Sequence, residues 1–123
     1  MEQIQKDVLM GFYKWQFLMK SFHFATKYNV RHKAVGKYLD NFVEDYDKFM
    51  EVCMGHHDQI EIDSEFTITI GEINDENIFM HIDTFEMFLS NLRIIYEEYP
   101  DLLNIRDEME ANLNRLVYLL KLE

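Results

Sequence analysis

Apolar residues recur at steps of three and four along nearly the whole of this 123-residue chain, and a single stretch near its middle breaks that rhythm. Residues 3 to 26 put Ile4, Val8, Phe12, Trp15, Leu18, Met19, Phe22 and Ala25 on one stripe, the mark of an amphipathic helix. Residues 30 to 54 repeat the pattern with Val35, Leu39, Phe42, Tyr46, Phe49 and Cys53. After Asn74-Asp75 comes a third stripe, Ile78, Ile82, Phe85, Leu89, Leu92, Tyr96 and Tyr99. Residues 101 to 121 give a fourth, with Leu102, Ile105, Met109, Leu113, Leu116 and Leu120. One proline and four glycines leave few helix breakers. Pro100 suits the first turn of the fourth helix, Gly55 the stop of the second, and Asn29, Asn74 or Asp75 a helix start.

The stretch that breaks the rhythm is HHDQIEIDSEFTITIGEIN, residues 56 to 74. Its isoleucines and Phe66 alternate with polar residues, the period of extended chain. It reads either as a short β-hairpin at about 58–72 or as a crossover. An extended chain covers roughly 3.3 Å per residue, enough for this stretch to run the length of a bundle. The expected fold is therefore a single all-α domain spanning residues 1–123, a four-helix bundle with one long connection between its second and third helices. That is the ferritin-like arrangement.

Charge narrows the partners. The net charge is −11, unevenly spread. Residues 1 to 54 hold eight basic and seven acidic side chains, whereas residues 55 to 123 hold four and sixteen. Duplex binders carry net basic surfaces, so nucleic-acid binding is disfavoured. The basic cluster Lys20, Lys27, Arg31, Lys33 and Lys37 reads as solvated helix ends. The lone Cys53 excludes an intrachain disulfide and, lying on an apolar face, reads as a small buried residue. The N-terminus does not read as a signal peptide, and no run is long enough to cross a membrane. A cytoplasmic protein without membrane contact is expected.

The chemistry concentrates in HFATKYNVRHKAVGKYLDNFVEDYDKFME, residues 23 to 51. Asp40, Glu44, Asp47 and Glu51 share one helix face, with Asp47 and Glu51 one turn apart. Paired carboxylates with imidazole suit iron, manganese or zinc. His32 precedes Asp47 by fifteen residues, about 22 Å along one straight helix, so the two cannot share a metal within one chain. A short link places His23 near His32. If a metal site exists, two chains must pack their second helices antiparallel about a two-fold axis. The histidines of one then face the carboxylates of the other, and the protein is at least a homodimer. His56-His57-Asp58 reads more simply as loop, and His81 has no E-x-x-H partner.

This segment, FLMKSFHFATKYNVRHKAVGKYLDNFVEDYDKFMEVCMG, resembles the ferroxidase segment of the Dps proteins, the mini-ferritins. They have one His near the end of the first helix, a second opening the next, then Asp and Glu four apart. The resemblance implies His23 and His32 as ligands, Asp47 as a bridging carboxylate and Glu51 as a terminal one, with Glu44 a weaker candidate. It also implies iron, or in its place zinc or manganese, at a dimer interface, and ferroxidase activity. The sequence departs from that family in four ways. His23 and His32 are nine apart, three fewer; Phe24 stands in place of Trp; Val52 stands in place of Arg; and a basic N-terminal tail is missing. The whole chain also resembles an uncharacterised family of phages and large DNA viruses, in its His-Lys-Ala opening of the second helix and its LVYLLKL ending. That implies a viral protein in the host-cell cytoplasm.

Two functions follow as expectations. One is a Dps-like viral protein that binds, and in its active form oxidises, iron between subunits. The other is a metal-free viral interaction protein on the same scaffold, binding a basic host protein through acids such as Glu97, Glu98, Glu108 and Glu110.

Overall fold

The computed structural model describes residues 1–63 and 65–122. Among them the chain forms four helices, α1 (Glu2–Ala25), α2 (Asn29–His56), α3 (Ile78–Ile95) and α4 (Pro100–Leu120), and no strand. The fold is all-α. α1 packs on α2 and α3, and α4 packs on the same two helices, which leaves α1/α4 and α2/α3 as the diagonals.

Side-chain contacts fix the directions. Trp15 Nε1 donates to Tyr38 Oη at 2.8 Å, and Gln5 Nε2 reaches Cys53 Sγ at 3.5 Å, so α1 and α2 are antiparallel. Arg31, at the start of α2, lies over the Phe79 ring at the start of α3. Cys53 Sγ, near the end of α2, donates to the hydroxyl of Tyr96, just past the end of α3, at 3.6 Å. α3 therefore runs parallel to α2. His56 meets Asp101 and Asp45 accepts from Asn112, so α4 runs back against α2. Residues 57 to 77 must then travel the full length of the bundle between α2 and α3.

Of the two readings of residues 56 to 74, the crossover is the one the described residues follow. No hairpin forms among its described residues; Ser64, inside the expected hairpin, lies outside them. The period-two pattern is nevertheless used. From Glu65 to Gly71 exposed and half-buried residues alternate, and Phe66, Ile68 and Ile70 turn toward Phe17, Ser21 and Phe24 on α1. The segment covers a helix face with alternate side chains, which needs no pairing strand.

Three helix-boundary expectations are corrected. Gly55 does not end α2, which continues to His56. The His56 ring packs 4.8 Å from Tyr99 and its Nε2 sits 2.8 Å from Asp101, contacts that hold the last turn in place. Asn29 lies inside α2 after Tyr28, and Asn74 and Asp75 do not cap α3 directly, which begins after Asn77. Asn74 instead closes a turn by accepting from the amides of Glu76 and Asn77. Pro100 opens α4 as expected.

Asp75 fastens the crossover to the α1–α2 turn. It accepts from Thr26 Oγ1 at 2.6 Å, the Lys27 amide at 2.9 Å and Arg31 at 3.1 Å. Burial pushes its carboxyl up, but these hydrogen bonds and the Arg31 charge outweigh that and hold it below the usual carboxylate range. A carboxyl lowered by folding adds stability above its unfolded value, and that stability is lost as pH falls through the folded value. Asp75→Ala should therefore cost about 1.5–3 kcal/mol near neutral pH, the range for hydrogen bonds to a charged group. Urea denaturation at neutral pH and in strong acid should show the gap between variant and wild type closing in acid. A gap unchanged in acid would assign the effect to packing.

The core is aromatic. Phe12 is fully buried, with Phe42, Tyr46, Phe49 and Phe88 ring centroids within 6.1 Å. Trp15 stacks on Phe85 at 4.4 Å. At Gly11 a Cβ would lie 2.3 Å from Phe88 Cε2, so this glycine is what lets α1 and α3 approach. Cys53 is buried, and burial pushes its thiol up, as befits a packing residue. No helix among the described residues is long and apolar enough to cross a membrane.

Candidate metal centre

The link from Thr26 to Tyr28 brings the end of α1 against the start of α2, and the two histidines meet there. His23 Nδ1 lies 2.7 Å from the His32 carbonyl oxygen, and His32 Nδ1 lies 2.7 Å from the His23 carbonyl oxygen. Their rings stack at 3.8 Å with 17° between planes. A carbonyl only accepts, so each Nδ1 carries the proton and donates it. In the neutral ring the lone pair then sits on Nε2, which has no hydrogen-bond partner for either histidine among the described residues. An imidazole whose second nitrogen is tied to a carbonyl has its tautomer and direction fixed, the usual preparation of a metal ligand. The same bonds have a local use, because the His23 carbonyl belongs to the unsatisfied last turn of α1.

Gly36, one turn beyond His32, completes the cradle. A Cβ there would lie 3.1 Å from His23 Cε1 and 3.6 Å from Nδ1. A mid-helix glycine costs roughly 0.5–1 kcal/mol relative to alanine, and here the absent side chain is the space the ring fills.

Asp47 and Glu51 lie exposed one turn apart on the same helix. The Glu51 carboxyl is pushed up because Asp47 hydrogen-bonds its protonated form and repels its charged one. A proton on such a pair competes with a cation, so metal affinity should rise with pH. Asp40 and Glu44 are also exposed on α2.

The structure thus brings His23 to His32 and sets Asp47 beside Glu51, but it does not bring the two pairs together. α2 is unbroken from Asn29 to His56, so fifteen residues separate His32 from Asp47 by about 22 Å. Among the described residues no three His, Cys, Asp or Glu side chains are grouped to hold a metal within one chain. The other histidines are engaged or enclosed. His56 pairs with Asp101 and lowers its carboxyl, and His81 Nε2 contacts the Glu72 carbonyl oxygen at 3.0 Å. His57 Nε2 is buried without a protein partner among the described residues.

Sequence reasoning missed Gly36 as part of the site, because its role depends on where the His23 ring lies. It also missed Arg106, which is buried and donates to the Leu89 carbonyl at 2.8 Å and to Glu110 at 2.8 Å. Its spacing, four after Leu102 and three before Met109, puts it on the buried stripe and was the available signal.

Residues 23–120 match the profile of a family of unknown function, DUF5856, and the chain belongs to that family. No curated protein and no solved structure matches it.

Proposed function

We propose that this DUF5856 member is a ferritin-like subunit, similar to the mini-ferritins, that pairs with a second copy of itself and binds ferrous iron between the two. The observation that carries this reading is the His23–His32 pair. Two imidazoles, each fixed through Nδ1, present free Nε2 atoms at one end of α2 while two carboxyls that repel each other occupy the other end. An antiparallel pairing of two α2 helices about a two-fold axis joins each histidine half to a carboxylate half, twice per dimer. The helix directions support a ferritin-like scaffold, with one crossover joining two parallel, diagonal helices. The surface beside the histidines supports burial by a partner: Phe24 is 72% exposed, Tyr28 59% and Val30 48%.

Within such a centre the residues divide the work. Asp47 and Glu51 neutralise the charge of the iron substrate, and His23 and His32 set its geometry. Zinc and manganese fit the same donors. The reaction the centre would serve is oxidation of ferrous iron by peroxide: two Fe(II) each lose one electron, and hydrogen peroxide takes both with two protons to give two waters.

The test is metal content of the purified native protein, measured with its native mass. Stoichiometric metal in an even-numbered oligomer is expected, lost in Asp47→Ala and Glu51→Gln at unchanged helix content. Protein that is metal-free and also refuses added ferrous iron overturns this reading. One observation would then favour the metal-free viral interaction protein that binds a host protein. Glu97, Glu98 and Glu108 are exposed and form no salt bridge among the described residues, a surface open to a basic partner.

A further inference from the structure

A groove of about 250 Å³ runs between α2 and α4, separate from the face that carries the histidines and the Asp47–Glu51 pair. α2 contributes Ala34, Lys37, Tyr38 and Asn41; α4 contributes Asn112, Arg115, Leu116 and Leu119. The floor is apolar. Leu116 and Tyr38 are buried, Leu119 is half-buried, and the Tyr38 hydroxyl is already engaged by Trp15. Ala34 keeps the wall low. The rim is polar, with Lys37 and Arg115 exposed on opposite helices and the amides of Asn41 and Asn112 beside them.

The rim sets one cation from each helix on the same groove. Lys6, Arg31, Arg93 and Arg106 each sit within 4.0 Å of a carboxylate, and the other lysines and Arg115 form no salt bridge among the described residues. Lys37 and Arg115 form no salt bridge among the described residues, although they line the same small groove. Two like charges on one rim repel, and that repulsion is relieved when an anion lies between them. Arginine adds a planar fork matched to a carboxylate.

We infer that this groove binds a small organic carboxylate, its charge held by Lys37 and Arg115 and its apolar body lying on Ala34, Leu116, Leu119 and the Tyr38 ring. The volume lies just below the range of pockets for drug-sized molecules, so the ligand is small. An apolar floor under a cationic rim rejects both a neutral apolar molecule and a bare anion.

Titration of the ¹⁵N-labelled full chain with benzoate, benzyl alcohol and inorganic phosphate, followed by amide NMR shifts, tests this. Benzoate should saturably shift the amides of Asn41, Asn112 and Arg115. Benzyl alcohol and phosphate should each bind at least about tenfold more weakly. Lys37→Gln with Arg115→Gln should weaken benzoate about tenfold or more while leaving benzyl alcohol unchanged. Both side chains are exposed, so the double variant should fold, and helix content by circular dichroism checks that it does. The inference fails if benzoate gives no saturable shift at these amides, if phosphate binds as well as benzoate, or if the double variant binds benzoate undiminished.

Discussion

Chains carrying His32→Ala and chains carrying Asp47→Ala are expected to bind metal together although neither binds it alone. Each centre of the proposed dimer takes its histidines from one protomer and its carboxylates from the other. In a mixed dimer one centre joins two damaged halves, and the other joins two intact halves. Random pairing about a two-fold axis makes half the dimers mixed, so a co-refolded mixture should recover roughly a quarter of wild-type metal capacity. Asp47→Ala mixed with Glu51→Ala should recover none, because both changes damage the same half. Metal bound per chain, measured after co-refolding and desalting, reads the result directly. No recovery from the first mixture would rule out a centre shared between subunits, whatever the wild-type protein binds.

Truncating Phe12 to alanine should be the most destabilising single change, at about 3–5 kcal/mol. Its ring is fully buried, and four other rings lie with centroids 5.4 to 6.1 Å from it. Removing it leaves a void bounded by α1, α2 and α3, which rigid aromatic side chains fill poorly. A domain of this kind has about 5–15 kcal/mol of stability in all, so the variant should be partly unfolded or close to it. Met87→Ala is the control: Met87 is 68% exposed on α3, and such a change stays within about 0.5 kcal/mol. Urea midpoints with matched slopes would measure both. A Phe12→Ala cost below that of an ordinary surface change would mean that the aromatic cluster is not the centre of the core.

Much of the fold could be read from the chain because burial and helical period are the same signal. Phe12, Trp15 and Phe22 on α1, Val35 and Phe42 on α2, and every stripe residue from Leu102 to Leu120 on α4 are buried as their spacing predicts. Tyr46, in the middle of α2, is half-buried, and the exposed exceptions sit at the ends of α1. Ile4 is 40% exposed and Ala25 is exposed, where a stripe runs past the neighbour it would pack on. The crossover was ambiguous for a physical reason: alternation shows that one side of a segment is covered but not what covers it, and here α1 does so in place of a second strand. Gly55 misled because a glycine permits a helix to stop without requiring it, and the contacts of His56 with Tyr99 and Asp101 lie beyond any local window.

The site was legible in part. Helix rise alone separates His32 from Asp47, and a short link alone places His23 near His32. Spacing could not reveal that each imidazole would be bound to the other residue's backbone, since that depends on how two helix ends meet. Nor could it mark Gly36, whose role appears only once the His23 ring is in place.

What position 36 tolerates depends on what stands at position 23. Any side chain at 36 begins with a carbon 3.1 Å from the His23 ring, closer than carbons comfortably pack, and larger residues add atoms beyond it. Replacing the glycine first asks the His23 ring to give by a few tenths of an ångström, against the roughly 0.5–1 kcal/mol that a helix gains from alanine. Replacing the histidine first leaves open room for that alanine. The two positions are coupled, and a change at 36 meets less resistance once the imidazole at 23 is gone.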